Sequence, residues 1–113
     1  MTNQGTLDRF GLKDSILEKI RKVFSACLEI ERVILYGSRA KGNYRNGSDI
    51  DLTIVGDQVT AEHLSRLQLA LDDLLLPYTI DLSLMRQIDN PDLLGHINRV
   101  GVVFYEREKQ SES

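Results

Sequence analysis

Hydrophobic and polar positions follow two different periods along this chain. From Lys13 to Leu28 the apolar residues Ile16, Ile20, Val23 and Cys27 recur at steps of four, three and four, the spacing of one face of an α-helix. Leu17, Phe24 and Leu28 widen that face, and Glu18, Lys19, Arg21 and Lys22 fill the solvated side. The period then shortens. Arg32–Tyr36 is an apolar strand that Gly37 ends. Asp49–Val55 alternates strictly, with Ile50, Leu52 and Ile54 on one face and Asp49, Asp51 and Thr53 on the other. Tyr78–Leu84 repeats that alternation, with Thr79, Asp81 and Ser83 on its polar face. Between the last two strands a helix runs from a Thr60 cap to about Leu75, its core face Leu64, Leu67, Leu71 and Leu74, and Pro77 stops it. Asp89-Asn90-Pro91 opens a final helix whose apolar set is Leu93, Leu94, Ile97 and Val100. Gly101 breaks it, and Val102–Tyr105 is the last strand.

One short element interrupts this regular alternation. Ser38 is a natural N-cap for a helix through Lys41, Gly42 closes it, and Asn43–Ser48 is a polar loop with an Asn46-Gly47 turn signal. The full order is helix, strand, short helix, strand, helix, strand, helix, strand. It predicts an α/β (α+β) domain in which helices cover one sheet. Strand order does not follow from the pattern. Residues 1–11 read as a flexible lead-in, 12–107 as the domain and 108–113 as a frayed tail.

Composition narrows the picture. A chain of 113 residues with 42% hydrophobic content builds one modest core. Small domains are marginally stable, so a permanent partner would be unsurprising. A net charge of −3 speaks against a nucleic-acid scaffold, but local cations can still bind a small nucleotide. Cys27 is the only cysteine, which excludes an internal disulfide and reads as a small buried hydrophobe. The N-terminus lacks a secretory pattern, and no apolar run approaches the ~20 residues of a membrane span. Together these place the protein in the cytoplasm.

The candidate chemistry lies in residues 36–51. Asp49 and Asp51 share one side of a strand, about 7 Å apart at Cα from the strand rise. Like charges held that close repel unless a cation or strong donors sit between them. Asp81 is a third acid on the polar side of a strand. If the two strands are neighbours, three carboxylates converge. Oxygen donors without His or Cys among them suit Mg²⁺ or Mn²⁺, and three acids can hold two ions ~3.5–4 Å apart, the clamp used in nucleotidyl transfer. Gly37-Ser38, at the start of a helix, offers backbone N–H groups and a hydroxyl to phosphate. Arg39, Lys41 and Arg45 add positive charge that could reach a triphosphate. The P-loop pattern is absent. His63, His96 and Tyr44 stay outside the site in this reading, as an exposed helix residue, a helix residue and a surface aromatic.

Taken together, Gly-Ser, Asp-x-Asp ten residues on, and a third Asp on a later strand resemble the DNA polymerase β-like nucleotidyltransferase superfamily. Gly-Ser-Arg-Ala-Lys-Gly with Ser-Asp-Ile-Asp-Leu, Tyr-Thr-Ile-Asp-Leu, and the ending Asn-Pro-Asp-Leu-Leu-Gly-His-Ile-Asn-Arg-Val-Gly-Val-Val-Phe-Tyr-Glu are similar to its minimal nucleotidyltransferase branch. The resemblance covers about Leu12 to Arg107. It implies a small mixed β-sheet flanked by helices, the polymerase-beta-like fold. It implies that Asp49 and Asp51 hold both metal ions, that Asp81 holds the catalytic ion and helps deprotonate the attacking hydroxyl, and that Gly37 and Ser38 hold phosphate. It also implies ATP as substrate and a helical HEPN-domain toxin as partner in a hetero-oligomer. In that branch the nucleotidyltransferase is the antitoxin of a type VII toxin–antitoxin module and transfers AMP to a tyrosine of the toxin. Two other readings stand beside it. One is a binding antitoxin with a vestigial nucleotide site. The other is a small-molecule nucleotidyltransferase whose acceptor site another subunit completes.

Overall fold

The computed structural model describes residues 10–45 and 47–107, so most of the expected lead-in and all of the expected tail lie outside the described residues. Four strands, β1 (Arg32–Tyr36), β2 (Ile50–Val55), β3 (Ile80–Leu84) and β4 (Val102–Glu106), form one mixed sheet in the order β3-β2-β1-β4. The helices are α1 (Asp14–Ser25), α2 (Ser38–Lys41), α3 (Ala61–Asp72) and α4 (Pro91–Val100). β1 pairs antiparallel with both β2 and β4, whereas β2 and β3 run parallel. A parallel pair needs a crossover connection, and α3 supplies it.

Alternation along the strands divides the sheet into two unlike faces. Val33, Leu35, Leu52, Ile54, Leu82 and Leu84 point to one side and form the core with Leu17, Ile20 and Phe24 of α1 and Leu67 and Leu71 of α3. Tyr36, Asp51, Thr53, Asp81 and Ser83 share the other face, as their cross-strand pairing requires. α4 lies over part of that second face. Ile97 is buried there, and a side chain at Gly101 would meet Ile34. Thr53 is therefore fully buried and not solvent-facing, and it accepts a hydrogen bond from the Ser83 hydroxyl at 3.0 Å.

Helix ends differ modestly from the sequence expectation. α1 stops at Ser25 because the chain tightens into a turn, with Cys27 N–H donating to the Phe24 carbonyl and Ile30 N–H to the Cys27 carbonyl. Leu28 thus leaves the apolar face where it was expected and is 73% exposed. Cys27 is half-buried, and desolvation is the largest influence raising its thiol pKa. α3 begins at the expected Thr60 cap, but the reciprocal bond comes from His63, whose Nδ1 accepts from Thr60 N–H at 3.0 Å. β3 starts at Ile80, and Tyr78 before it stacks on Arg39. At the sheet edge, Arg21 Nε donates to the Phe104 carbonyl at 2.8 Å, occupying one acceptor that an edge strand would otherwise offer to another chain.

Candidate active site

Three strand ends set the positions of the acids. β2 and β3 are parallel neighbours in register, so Asp51 faces Asp81 directly. Asp51 also faces Tyr36, the last residue of β1. Asp49 sits two residues before Asp51, just ahead of β2, and is exposed. The adjacency of strands two and three, on which the expected convergence depended, is therefore present for Asp51 and Asp81. Its electrostatic trace is on Asp51, whose carboxyl pKa is raised by burial first, then by the charges of Asp81 and Asp49, with His96 opposing. The Tyr36 phenol is pushed up by desolvation, a hydrogen bond with Ser83 pulls it back, and Asp51 and Asp81 raise it further.

Gly37 joins the carboxylates to the turn. Its backbone has φ 80° and ψ −160°, a region open essentially only to glycine. A Cβ at this position would collide with the Asp51 carboxylate. Only a residue without a side chain lets the turn pass so close to that acid. Ser38 follows and starts α2. Lys41 N–H donates to the Gly37 carbonyl and Gly42 N–H to the Ser38 carbonyl. Gly42 closes α2 in the left-handed conformation, as expected.

Arg39 is committed to the protein interior. It is 3% exposed, Nε and Nη2 donate to the Ser48 carbonyl at 3.1 and 2.9 Å, and Nη1 donates to the Phe10 carbonyl at 2.8 Å. Tyr44 and Tyr78 stack on its guanidinium, with ring centroids 5.2 and 5.0 Å from Cζ. In this structure the side chain expected to bind nucleotide clamps the loop that leads into β2. Tyr44 is packed against this arginine. Lys41 and Arg45 remain exposed and accessible to a ligand.

His96 is the site residue that sequence reasoning missed. Its Nε2 accepts a hydrogen bond from Gly37 N–H at 3.0 Å, and its ring meets Tyr36 edge-on at 6.2 Å. One signal was available in the sequence. His96 lies three residues after Leu93 and four before Val100, on the face of α4 that packs inward.

The donor set, carboxylate oxygens only, suits a hard divalent cation, and burial first and then the charges of Asp81 and Asp49 disfavour Asp51 as an anion. Among the described residues no group of three His, Cys, Asp or Glu side chains is gathered tightly enough to hold a metal ion. A cavity of about 660 Å³ lies between α1 and α3, lined by Lys22, Val23, Arg66, Leu67 and Ala70 among others. None of the acids lines it, and its position between the two helices separates it from the carboxylates. Among the described residues no helix is long and apolar enough to cross a membrane.

The fold thus sets Asp51 and Asp81 in register on adjacent strands. The model of the polymerase beta nucleotidyltransferase family matches residues 18–110, and the chain belongs to that family. Solved structures agree in fold. A chain of a toxin–antitoxin complex with AMP-PNP superposes with a TM-score of 0.65 at 20% identity, covering 81% of this chain and 74% of that one. A chain from the complex of tri-AMPylated Shewanella oneidensis HEPN toxin with MNT antitoxin gives a TM-score of 0.60 at 18% identity, covering 82% and 71%. A protein described as a minimal nucleotidyltransferase gives 0.62 at 29% identity, covering 79% and 92%. No curated protein matches the sequence.

Proposed function

We propose that this chain is a Mg²⁺-dependent nucleotidyltransferase that moves AMP from ATP to a protein hydroxyl, a tyrosine of a helical HEPN-type toxin, and so acts as an antitoxin in a hetero-oligomer. The observation that carries this reading is the register of Asp51 against Asp81, with Gly37 pressed on the same carboxylate. Membership of the nucleotidyltransferase family supports the reaction class. The neighbours that hold AMP-PNP or an AMPylated HEPN toxin support the donor and the acceptor.

Asp49, Asp51 and Asp81 would hold the ions, with Mn²⁺ able to replace Mg²⁺. Two divalent ions bound there supply charge neutralisation for the phosphates and a lowered pKa for the acceptor hydroxyl. Gly37-Ser38 orients the phosphates, and the Ser38 hydroxyl and free N–H groups of the turn are its donors. Lys41 and Arg45 add accessible positive charge at the mouth of the site. The acceptor oxygen forms a bond to the α-phosphorus, and the bond from that phosphorus to the oxygen bridging to the β-phosphate breaks. Pyrophosphate leaves, and the hydroxyl proton passes to an Asp81 carboxylate oxygen. Intact-mass measurement of the helical partner after incubation with this protein, ATP and Mg²⁺ tests the proposal. One or more AMP-sized increments are expected, and an unchanged partner mass with active protein and partner both folded would count against it.

A further inference from the structure

We infer that His96 is a positioning residue for the candidate site: it pins the Gly37–Ser38 turn against Asp51 and leaves the Ser38 donors, not the Gly37 N–H, to meet phosphate. The inference rests on the nucleotidyl-transfer reading of the site. Its geometry begins with α4, which is fixed at both ends. Asn90 caps the helix through Asp92 and Leu93 N–H, Pro91 occupies its first turn, and Gly101 abuts Ile34 at the other end. From this rod His96 spans 59 residues of sequence to reach Gly37 N–H at 3.0 Å. The edge-on contact with Tyr36 at 6.2 Å sets the plane of the ring. In this bond Nε2 is the acceptor and the Gly37 amide the donor.

What this bond holds is a turn that only glycine can make here. Gly37 sits at φ 80° with its Cα against the Asp51 carboxylate. Without His96 the turn loses the tether that sets its distance from the carboxylates. The Gly37 N–H is also one of the donors a phosphate would be expected to use. In this structure it already has an acceptor, so the phosphates are left to Ser38 and the residues after it.

The test compares His96→Ala, His96→Asn and His96→Gln in the full chain. Glutamine places an acceptor oxygen near the position of Nε2, and asparagine places one near Nδ1, too short to reach. Two readouts are needed. One is hydrogen exchange of the Gly37 amide by NMR in the absence of nucleotide. The other is kcat and KM for ATP in AMP transfer to the helical partner, with ATP·Mg²⁺ affinity alongside. Alanine and asparagine should speed Gly37 exchange and raise KM and Kd about 3- to 10-fold, the size of one lost hydrogen bond, with kcat within about twofold. Glutamine should restore both.

Unchanged Gly37 exchange in the alanine variant would overturn the inference. So would a fall in kcat with KM unchanged, which would mean that His96 acts on Asp51 and not on the turn. If alanine prevents folding, the glutamine–asparagine pair carries the same comparison. If the unmodified protein transfers no AMP, the functional reading fails, and Gly37 exchange with ATP·Mg²⁺ affinity still decides whether His96 positions the turn.

Discussion

Replacing Asp51 with asparagine should abolish transfer and at the same time make the fold more stable. Asp51 is paired in register with Asp81 across adjacent parallel strands, whose spacing is about 4.8 Å. Two carboxylates roughly 5 Å apart repel by about 0.8 kcal/mol at the dielectric of water. Asp49, about 7 Å away along the strand, adds roughly 0.6 kcal/mol. Salt screening removes about half of such exposed terms, and partial burial restores some. A net gain of about 1 kcal/mol at neutral pH is expected, which raises the melting temperature of a domain this size by roughly 4–8 °C.

The pH dependence fixes the sign. Asp51 has a raised pKa in the folded state, so the native protein holds that proton more tightly than the unfolded chain does. Its contribution to stability is full below the unfolded carboxylate pKa, about 3.9, and is lost as pH rises through the folded value. The advantage of Asp51→Asn should therefore be present at pH 7 and vanish below about pH 4. Urea melts of both proteins at the two pH values, without divalent ions, measure it. An Asn variant less stable than the parent at pH 7 would refute the reasoning, because it would mean that the carboxylate makes structural bonds worth more than the repulsion.

Three further predictions concern neighbouring residues. Gly37→Ala should cost about 1–3 kcal/mol from backbone strain alone and weaken ATP binding as well, because the new Cβ displaces Asp51; thermal melts and ATP titration check both effects. Arg39→Lys should destabilise the fold by about 2–3 kcal/mol, since lysine cannot reproduce three guanidinium bonds to carbonyls or the two ring stacks; a melt close to that of the parent would return Arg39 to the list of phosphate ligands. Asp81→Ala should lose transfer far more completely than ATP·Mg²⁺ binding, and equal losses of both would argue against a role in handling the acceptor proton.

Which features could be read from the sequence follows from the range of the interactions involved. β2 was legible because alternating Ile50, Leu52 and Ile54 against Asp51 and Thr53 is a local, period-two signal. The Thr60 cap was legible for the same reason. The pairing of Asp51 with Asp81 was legible only conditionally, because strand order is set by how α3 packs and not by the strands themselves. Arg39 looked like a phosphate ligand because a cation after Gly-Ser has the same sequence signature whether it faces solvent or a loop. Its real partners, Phe10 and Ser48, come together only once the chain has folded. His96 was missed for a similar reason: its contact with Gly37 joins the first strand to the last helix. Leu28 was misplaced by extending the helical period past Ser25, where the backbone tightens into a turn.

The most direct test of the central claim is label transfer. The protein is mixed with Mg²⁺, its helical partner and ATP carrying label at either the α- or the γ-phosphate. Label on the partner from the α-position and not from the γ-position, absent with Asp51→Asn, is the predicted result. Tight complex formation with no label from either position would contradict the account and leave a protein that blocks its partner by binding alone.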